Sequence, residues 1–324
     1  MKNKILNIIS SSAEYISGEE ISNKYGVSRT AIWKHINALK QEGYQIESFP
    51  RKGYKLIQRP DILLENEVLT NLNTSKWGKE KFYFLNEVDS TNNYAKKLAS
   101  EGKPEGTVIV AEEQSAGKGR LSRKWISAKG KGIWTSFILR PNILPNFAAQ
   151  ITLVMAVGMI KALEKNLGVS AKIKWPNDIL INDLKVCGIL TEMSAEIDRI
   201  NYVIVGIGLN VNQSNDDFPD EIQDSATSLK ICLGKEIKRV QMLQVILEEI
   251  EKVYNLYLEK GFSEILDEWK NNSCTLGQEV IVKMPKEIIE GMAIDIDSGG
   301  CLIVKDKENI IHKIIAGDVL VRKK

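Results

Sequence analysis

The chain has 324 residues, 43% hydrophobic and 27% charged, with a formal net charge of +2, the composition of a globular protein with a buried core in two or three domains. No apolar run is expected to reach membrane-spanning length, and residues Met1 to Leu6 lack the features of a signal peptide, so the cytoplasm is the expected compartment. Two distant histidines, His35 and His312, and four scattered cysteines argue against a His-centred triad, a zinc site or a disulfide framework, which leaves Lys, Arg, carboxylates and backbone amides to carry any chemistry.

Charge is uneven along the chain. Residues 1–60 hold ten Lys and Arg against five Asp and Glu, a charge of +5, so the remainder is mildly acidic. A basic head suggests a polyanionic partner. Ile5, Leu6, Ile8 and Ile9 mark a first short helix. Ser17 caps a second, which Gly26 ends, and Ser28 opens a third through Lys40, with Ile32, Ile36 and Leu39 on one face. Two short strands follow, Tyr44–Ser48 and Tyr54–Ile57, with Arg51 and Lys52 at the turn. The ordered set reads as a winged helix-turn-helix over 1–60. Its DNA-facing residues are expected to be Ser28, Arg29, Thr30, Trp33 and Lys34 on the third helix and Arg51 and Lys52 on the wing.

After Pro60, Asp61 is expected to cap a helix reaching about Leu72. Strands are expected at Phe82–Leu85, Thr107–Ala111, Ile133–Leu139, Ile189–Met193 and Tyr202–Val205, and helices at Gln150–Leu167, Arg239–Leu258 and Gly261–Trp269. From Ser273 onward short strands and turns suggest a small β-barrel. The fold class is therefore multidomain α+β, divided as 1–60, 61–272 and 273–324.

Four segments of the middle region carry candidate chemistry. Gly117-Lys118-Gly119-Arg120, followed by Arg123, Lys124 and Trp125, places cations beside glycines and fits an anion that the loop orders around. It matches neither a Walker A loop nor a dinucleotide fingerprint. In Lys174-Trp175-Pro176-Asn177-Asp178, Pro176 restricts Trp175 and holds Lys174 at a strand end. Ser90, Thr91 and Asn92, opening a helix at Tyr94, offer caps or ligand contacts. Gly206 and Gly208, followed by Asn210 and placed after a strand, permit close backbone approach.

Together these segments and the head resemble the biotin protein ligases, in the bifunctional form that is also the biotin operon repressor, across essentially the whole chain. The resemblance implies a central mixed-sheet ligase domain like that of class II aminoacyl-tRNA synthetases and lipoate ligases, and a C-terminal SH3-like barrel. It implies that biotin and ATP, with Mg²⁺, form biotinyl-5′-AMP, which a lysine of a biotin carboxyl carrier protein then attacks. The adenylate-bound homodimer would bind operator DNA. Lys174 and Arg120 would be catalytic. Biotin would be held by Ser90, Thr91, Asn92, Gln114, Lys118, Gly119, Arg120, Lys174, Gly206 and Gly208. The adenylate would be held by Gly117, Arg120, Arg123, Lys124, Trp125, Lys174 and Asn210, with no metal ligand assigned to the protein. Trp125 either stacks on a base or packs in the core. One departure is Lys118, where the family's loop usually carries arginine; the charge is kept and the bidentate fork is lost. A lipoate-type acyl-adenylate ligase and a biotin-sensing repressor without catalysis are the competing readings.

Overall fold

The computed structural model describes residues 1–284 and 287–322; Pro285, Lys286, Lys323 and Lys324, all inside the expected 273–324 domain, lie outside the described residues. The chain divides into two compact units, Met1–Ile62 and Leu63–Lys324.

The first unit contains α1 (Lys2–Ser10), α2 (Gly18–Tyr25) and α3 (Arg29–Gln41), then β1 (Gln45–Phe49) paired antiparallel with β2 (Gly53–Gln58). Ser17 Oγ accepts the amide N–H of Glu20 and Ser28 Oγ that of Ala31, each cap contributing about 1 kcal/mol. Gly26 ends α2 in the left-handed region. Ile5, Leu6, Ile9, Ile21, Ile32, Ile36 and Leu39 close the core. Gly53 is required where the wing meets residues 16–17, because a Cβ there would lie 2.0 Å from the Ile16 carbonyl oxygen.

In the second unit the expected helix from Asp61 is only α4 (Glu65–Leu69). The chain turns extended at Thr70 (φ −67°, ψ 118°), and amides on either side go to tertiary partners, Leu63 N–H to Glu112 and Asn73 N–H to Glu248. The next elements are β3 (Phe82–Leu85), α5 (Thr91–Ser100), β4 (Val108–Ala111), β5 (Gly132–Leu139), α6 (Ala148–Leu167), β6 (Lys172–Lys174), β7 (Asp178–Ile181), β8 (Leu184–Ala195) and β9 (Ile200–Asn210). Helix α5 starts at Thr91 rather than Tyr94, and Gly206 and Gly208 lie inside β9 rather than after it. The short helices α7 (Asp220–Gln223) and α8 (Leu229–Leu233) precede α9 (Arg239–Lys260) and α10 (Ser263–Asn271).

The seven strands form one mixed sheet, ordered β3-β4-β5-β9-β8-β7-β6, with β3 and β4 parallel and the other neighbours antiparallel. Both faces are covered. Ala95, Leu98 and Ala99 of α5 pack on Ile109, Ile138 and Ile204, whereas Phe137, Leu139, Val203 and Val205 face the large core with α6 and α9. The alternation of Phe137, Ile138 and Leu139 between faces is the two-residue period of a strand. Helix α6, with the turn before it, is long and apolar enough to cross a membrane, contrary to the expectation from sequence. Most of that stretch (72%) is buried in the protein's own core, which accounts for a helix apolar nearly all round.

Strands β10 (Glu279–Lys283), β11 (Ile288–Ile296), β12 (Leu302–Asp306), β13 (Ile311–Ile314) and β14 (Asp318–Val321) form an antiparallel sheet, ordered β13-β12-β11-β10-β14, where the sequence predicts the barrel.

Candidate functional site

The head presents its expected contacts outward. Ser28, Arg29, Thr30, Trp33, Lys34, Arg51 and Lys52 are all exposed, while Ile32 and Ile36 of the same helix are buried. Trp33 is 56% exposed, far more than a core tryptophan. Arg29 pairs with Glu19 at 2.8 Å. Lys52 lies 5.8 Å from the Phe49 ring centroid.

The second unit holds a cavity of about 530 Å³, a size suited to a small ligand. Its lining includes Ser90, Thr91, Asn92, Gln114, Lys118, Gly119, Arg120, Arg123, Lys124, Trp125, Lys174, Gly206, Gly208 and Asn210. Of the site residues expected in the middle region, Gly117 alone does not line it. Gly117 has a structural task instead, since a Cβ there would meet the Trp125 carbonyl oxygen at 2.4 Å.

One wall is neutral and tightly bonded. Gln114 Oε1 accepts the Thr91 amide N–H at 2.8 Å, and Gln114 Nε2 donates to Ser127 Oγ at 2.7 Å. Asn92 Nδ2 donates to Glu192 at 2.8 Å. The Ser90 hydroxyl caps no backbone amide of α5 and lines the cavity. Asn92 fills the space above Gly206, where a Cβ would stand 2.2 Å from its Oδ1.

The other wall is cationic. Residues 114–127 form a small hairpin, with bridges at Gln114–Ser127 and Lys118–Lys124. At its tip Leu121 and Ser122 take left-handed φ values of 54° and 58°, costing about 1–2 kcal/mol each. Arg120 donates to Asn177 Oδ1 and to the Gly317 carbonyl, at 3.4 and 3.3 Å. Burial pushes the Arg120 guanidinium below its ordinary pKa, and the nearby Asp318 and Asp178 oppose that shift. Arg123 pairs with Asp318, and Lys118 donates to Asn93 at 2.9 Å. Lys174 ends β6 opposite Asp178, and its ammonium has no hydrogen bond or ion pair among the described residues. Its neighbour Trp175 is buried, donating its amide to Thr275 and its indole N–H to the Gly300 carbonyl, and the Trp175–Pro176 peptide is cis.

The base of this hairpin is held by a buried ion pair. Arg239 Nη1 lies 2.9 Å from Glu112 Oε2 and also donates to the Gly132 carbonyl, so both ends of the loop are fastened to α9. Removing one partner of such a pair strands a buried charge.

Two of the expected adenylate contacts are also engaged within the protein. Asn210 is buried with its amide engaged, donating to the Thr227 carbonyl and accepting from Gln213. Trp125 packs within the protein, edge-to-face with Trp134 and across the registered pair Gly188 and Gly208. The backbone approach at Gly206 and Gly208 is thus made by side chains of the chain itself. Sequence reasoning did not find Asn177, Asp178, Lys185, Gly188, Thr135 or Asp318 on the walls. Lys185 pairs with Asp178 at 2.6 Å and sits 5.2 Å from the Trp125 ring. The sole signal for Asn177 and Asp178 was their place in the Lys174 string.

Residues 84–210 match the biotin/lipoate A/B protein ligase family, residues 2–55 an HTH domain, and residues 275–322 the biotin protein ligase C terminal domain. The chain is 45% identical over 307 residues to the bifunctional ligase/repressor BirA of Bacillus spizizenii, covering 95% of this chain and 94% of that protein. It is 28% identical to the Escherichia coli protein of the same name, over 95% and 94% of the two chains. Among solved structures, the biotin protein ligase of Aquifex aeolicus in complex with biotin and ATP superposes with a TM-score of 0.65 at 33% identity, covering 76% of this chain and all of that one.

Proposed function

The chain belongs to the biotin protein ligase family, and from that premise we propose how its residues serve a protein that joins biotin to an acceptor protein with ATP and represses transcription through its head. Activation brings a carboxylate against a triphosphate. Two like charges 4 Å apart cost about 4 kcal/mol at an effective dielectric of about 20. A fixed cation between them offsets a similar amount, worth roughly a thousandfold in rate. Lys174 is that cation. The observation that carries this reading is its ammonium, unpaired among the described residues, on the wall of a cavity whose opposite side is neutral.

Ser90, Thr91, Asn92 and Gln114 hold the biotin ring. Lys118, Arg120, Arg123 and Lys124 fold over the adenylate and keep water from the mixed anhydride. Mg²⁺ arrives with ATP and neutralises its phosphates; the wall carboxylates Asp178 and Asp318 are already paired with Lys185 and Arg123. The acceptor is a lysine of a biotin carboxyl carrier protein. The domains are 1–60 for DNA, 61–272 for catalysis and 273–324 for the C-terminal barrel, all working in the cytoplasm. Adenylate ordering of the loop favours a homodimer, with coupling of about 1–3 kcal/mol, and the dimer presents two heads to a two-fold operator.

Pyrophosphate exchange with ATP and Mg²⁺ tests the catalytic part. Exchange is expected with biotin. A folded protein that exchanges with lipoate instead is a lipoate-type ligase, and one that exchanges with neither only senses its ligand. Operator affinity tests the rest. It should rise with biotin plus ATP and fall when unmodified acceptor is added; constant affinity in all conditions removes the control by biotin.

A further inference from the structure

Behind the neutral wall runs a file of hydrogen bonds that the reaction itself does not use. Ser136 Oγ stands 2.7 Å from Thr91 Oγ1 and 2.6 Å from Asn92 Oδ1. Asn92 Nδ2 is 2.8 Å from Glu192 Oε2, and Lys96 Nζ is 2.6 Å from Glu192 Oε1. Thr91 lines the cavity, whereas Ser136 and Glu192 do not.

Counting protons gives the file a direction. The Glu192 carboxylate, paired with the Lys96 ammonium, only accepts. With the Leu190 carbonyl, 3.4 Å from Nδ2, it holds the Asn92 NH₂ toward itself and turns Oδ1 toward Ser136. Because that Oδ1 only accepts, the one Ser136 proton goes to it. The 2.7 Å contact between Ser136 and Thr91 is then a bond only if Thr91 donates. The Asn92 and Ser136 protons point toward Glu192, and the Thr91 hydroxyl proton goes to Ser136 or to Gln114 Oε1, which accepts it at 3.1 Å. What Thr91 Oγ1 shows the cavity is a lone pair. Gln114 Oε1, which also accepts the Thr91 amide at 2.8 Å, is the second acceptor on this wall.

We propose that Glu192 is a positioning residue for the acyl substrate: it sets the hydrogen-bond polarity of the neutral wall, so that this wall selects a ring bringing N–H donors, as a cyclic urea does. This rests on the reading of the cavity as the biotin site.

Calorimetric titration of biotin, with steady-state kinetics, tests it. Glu192→Ala should raise the biotin Kd about tenfold, roughly 1.4 kcal/mol, while the KM for ATP moves by less than about twofold. Glu192→Gln keeps an acceptor oxygen for Asn92 and should restore affinity to within about threefold of wild type. Ser136→Ala cuts the same file, so it should weaken biotin binding about as much, and the double variant should lose little more than either single one. Wild-type biotin affinity in Glu192→Ala overturns the proposal, as does full additivity in the double variant. So does a loss shared equally by biotin affinity, ATP KM and melting temperature, the mark of a merely structural role. If the wild-type protein binds no biotin, the reading of the cavity fails and this proposal goes with it. If wild type binds and the variants do not differ, only the polarity is wrong.

Discussion

The two walls of the cavity are built in opposite ways. On the neutral wall Thr91 and Asn92 are almost fully buried, and their side chains are bonded to Ser136 behind them, to Gln114 and to Glu192. On the cationic wall Lys118, Arg123 and Lys124 are exposed and ride on a hairpin with two non-glycine residues in the left-handed region. A buried, satisfied network resists rearrangement and discriminates by shape and bond polarity. Clustered cations on a loop repel one another and gain most from an arriving anion. On the proposed reading the contrast separates a rigid grip from a closing cover, with Lys174 on the cationic side.

The strongest way to break this division is at Lys174. Lys174→Ala should keep its fold and lose about a thousandfold in biotin-dependent pyrophosphate exchange; near-normal exchange by the folded variant removes Lys174 from the chemistry. Next, Gly206→Ala should strike the neutral wall alone, because its Cβ would stand 2.2 Å from Asn92 Oδ1. Overpacking of about 1–3 kcal/mol corresponds to roughly a ten- to hundredfold loss of biotin affinity, with ATP affinity kept. Titration of each ligand checks that the loss is confined to one wall. Arg120→Gly should strike the other wall. It removes the bonds to Asn177 and Gly317, so activated biotin should escape and label bystander proteins several-fold more than wild type does. Mass spectrometry of an added bystander measures this, and no increase means that the hairpin is not a cover. The smallest effect belongs to the head. Replacing Arg51 and Lys52 by Ala should lower DNA affinity for all sequences and reduce the salt slope by about two. Arg29 or Thr30 substitutions should instead change which operator is preferred, as competition binding with altered sites would reveal.

The difference between the walls also tracks what could be read from the chain. The cationic wall is nearly contiguous, from Gly117 to Trp125, and charge density beside glycine marks it without any tertiary information. The neutral wall was found without the side chains behind it. Ser90, Thr91, Asn92 and Gln114 were visible as small polar residues around a helix start and a strand end, but Ser136 and Glu192 were not. Ser136 follows Thr135 in an otherwise apolar β5 and Glu192 follows Thr191 in β8, and nothing local says that the two strands come within reach of the same asparagine. Asp318 is likewise far from Arg123 in sequence and forms an ion pair with it in the fold.

By itself the sequence determined what depends on neighbours along the chain. The Ser17 and Ser28 caps, the Gly26 stop, the strand at Phe82–Leu85 and the short strands after Ser273 follow from propensity, capping and period, which act over a few residues. Tertiary structure decided what depends on strand order. Placing β9 between β5 and β8 brings Gly206 within reach of Asn92 and sets Gly208 opposite Gly188 under Trp125. It gave the amides on either side of the short helix after Pro60 to Glu112 and Glu248, engaged the Asn210 amide with Thr227 and Gln213, and buried an apolar helix long enough to cross a membrane. These outcomes turn on which side chain completes the hydrogen bonds and apolar contacts of a residue a hundred positions away, and local periodicity carries no record of that pairing.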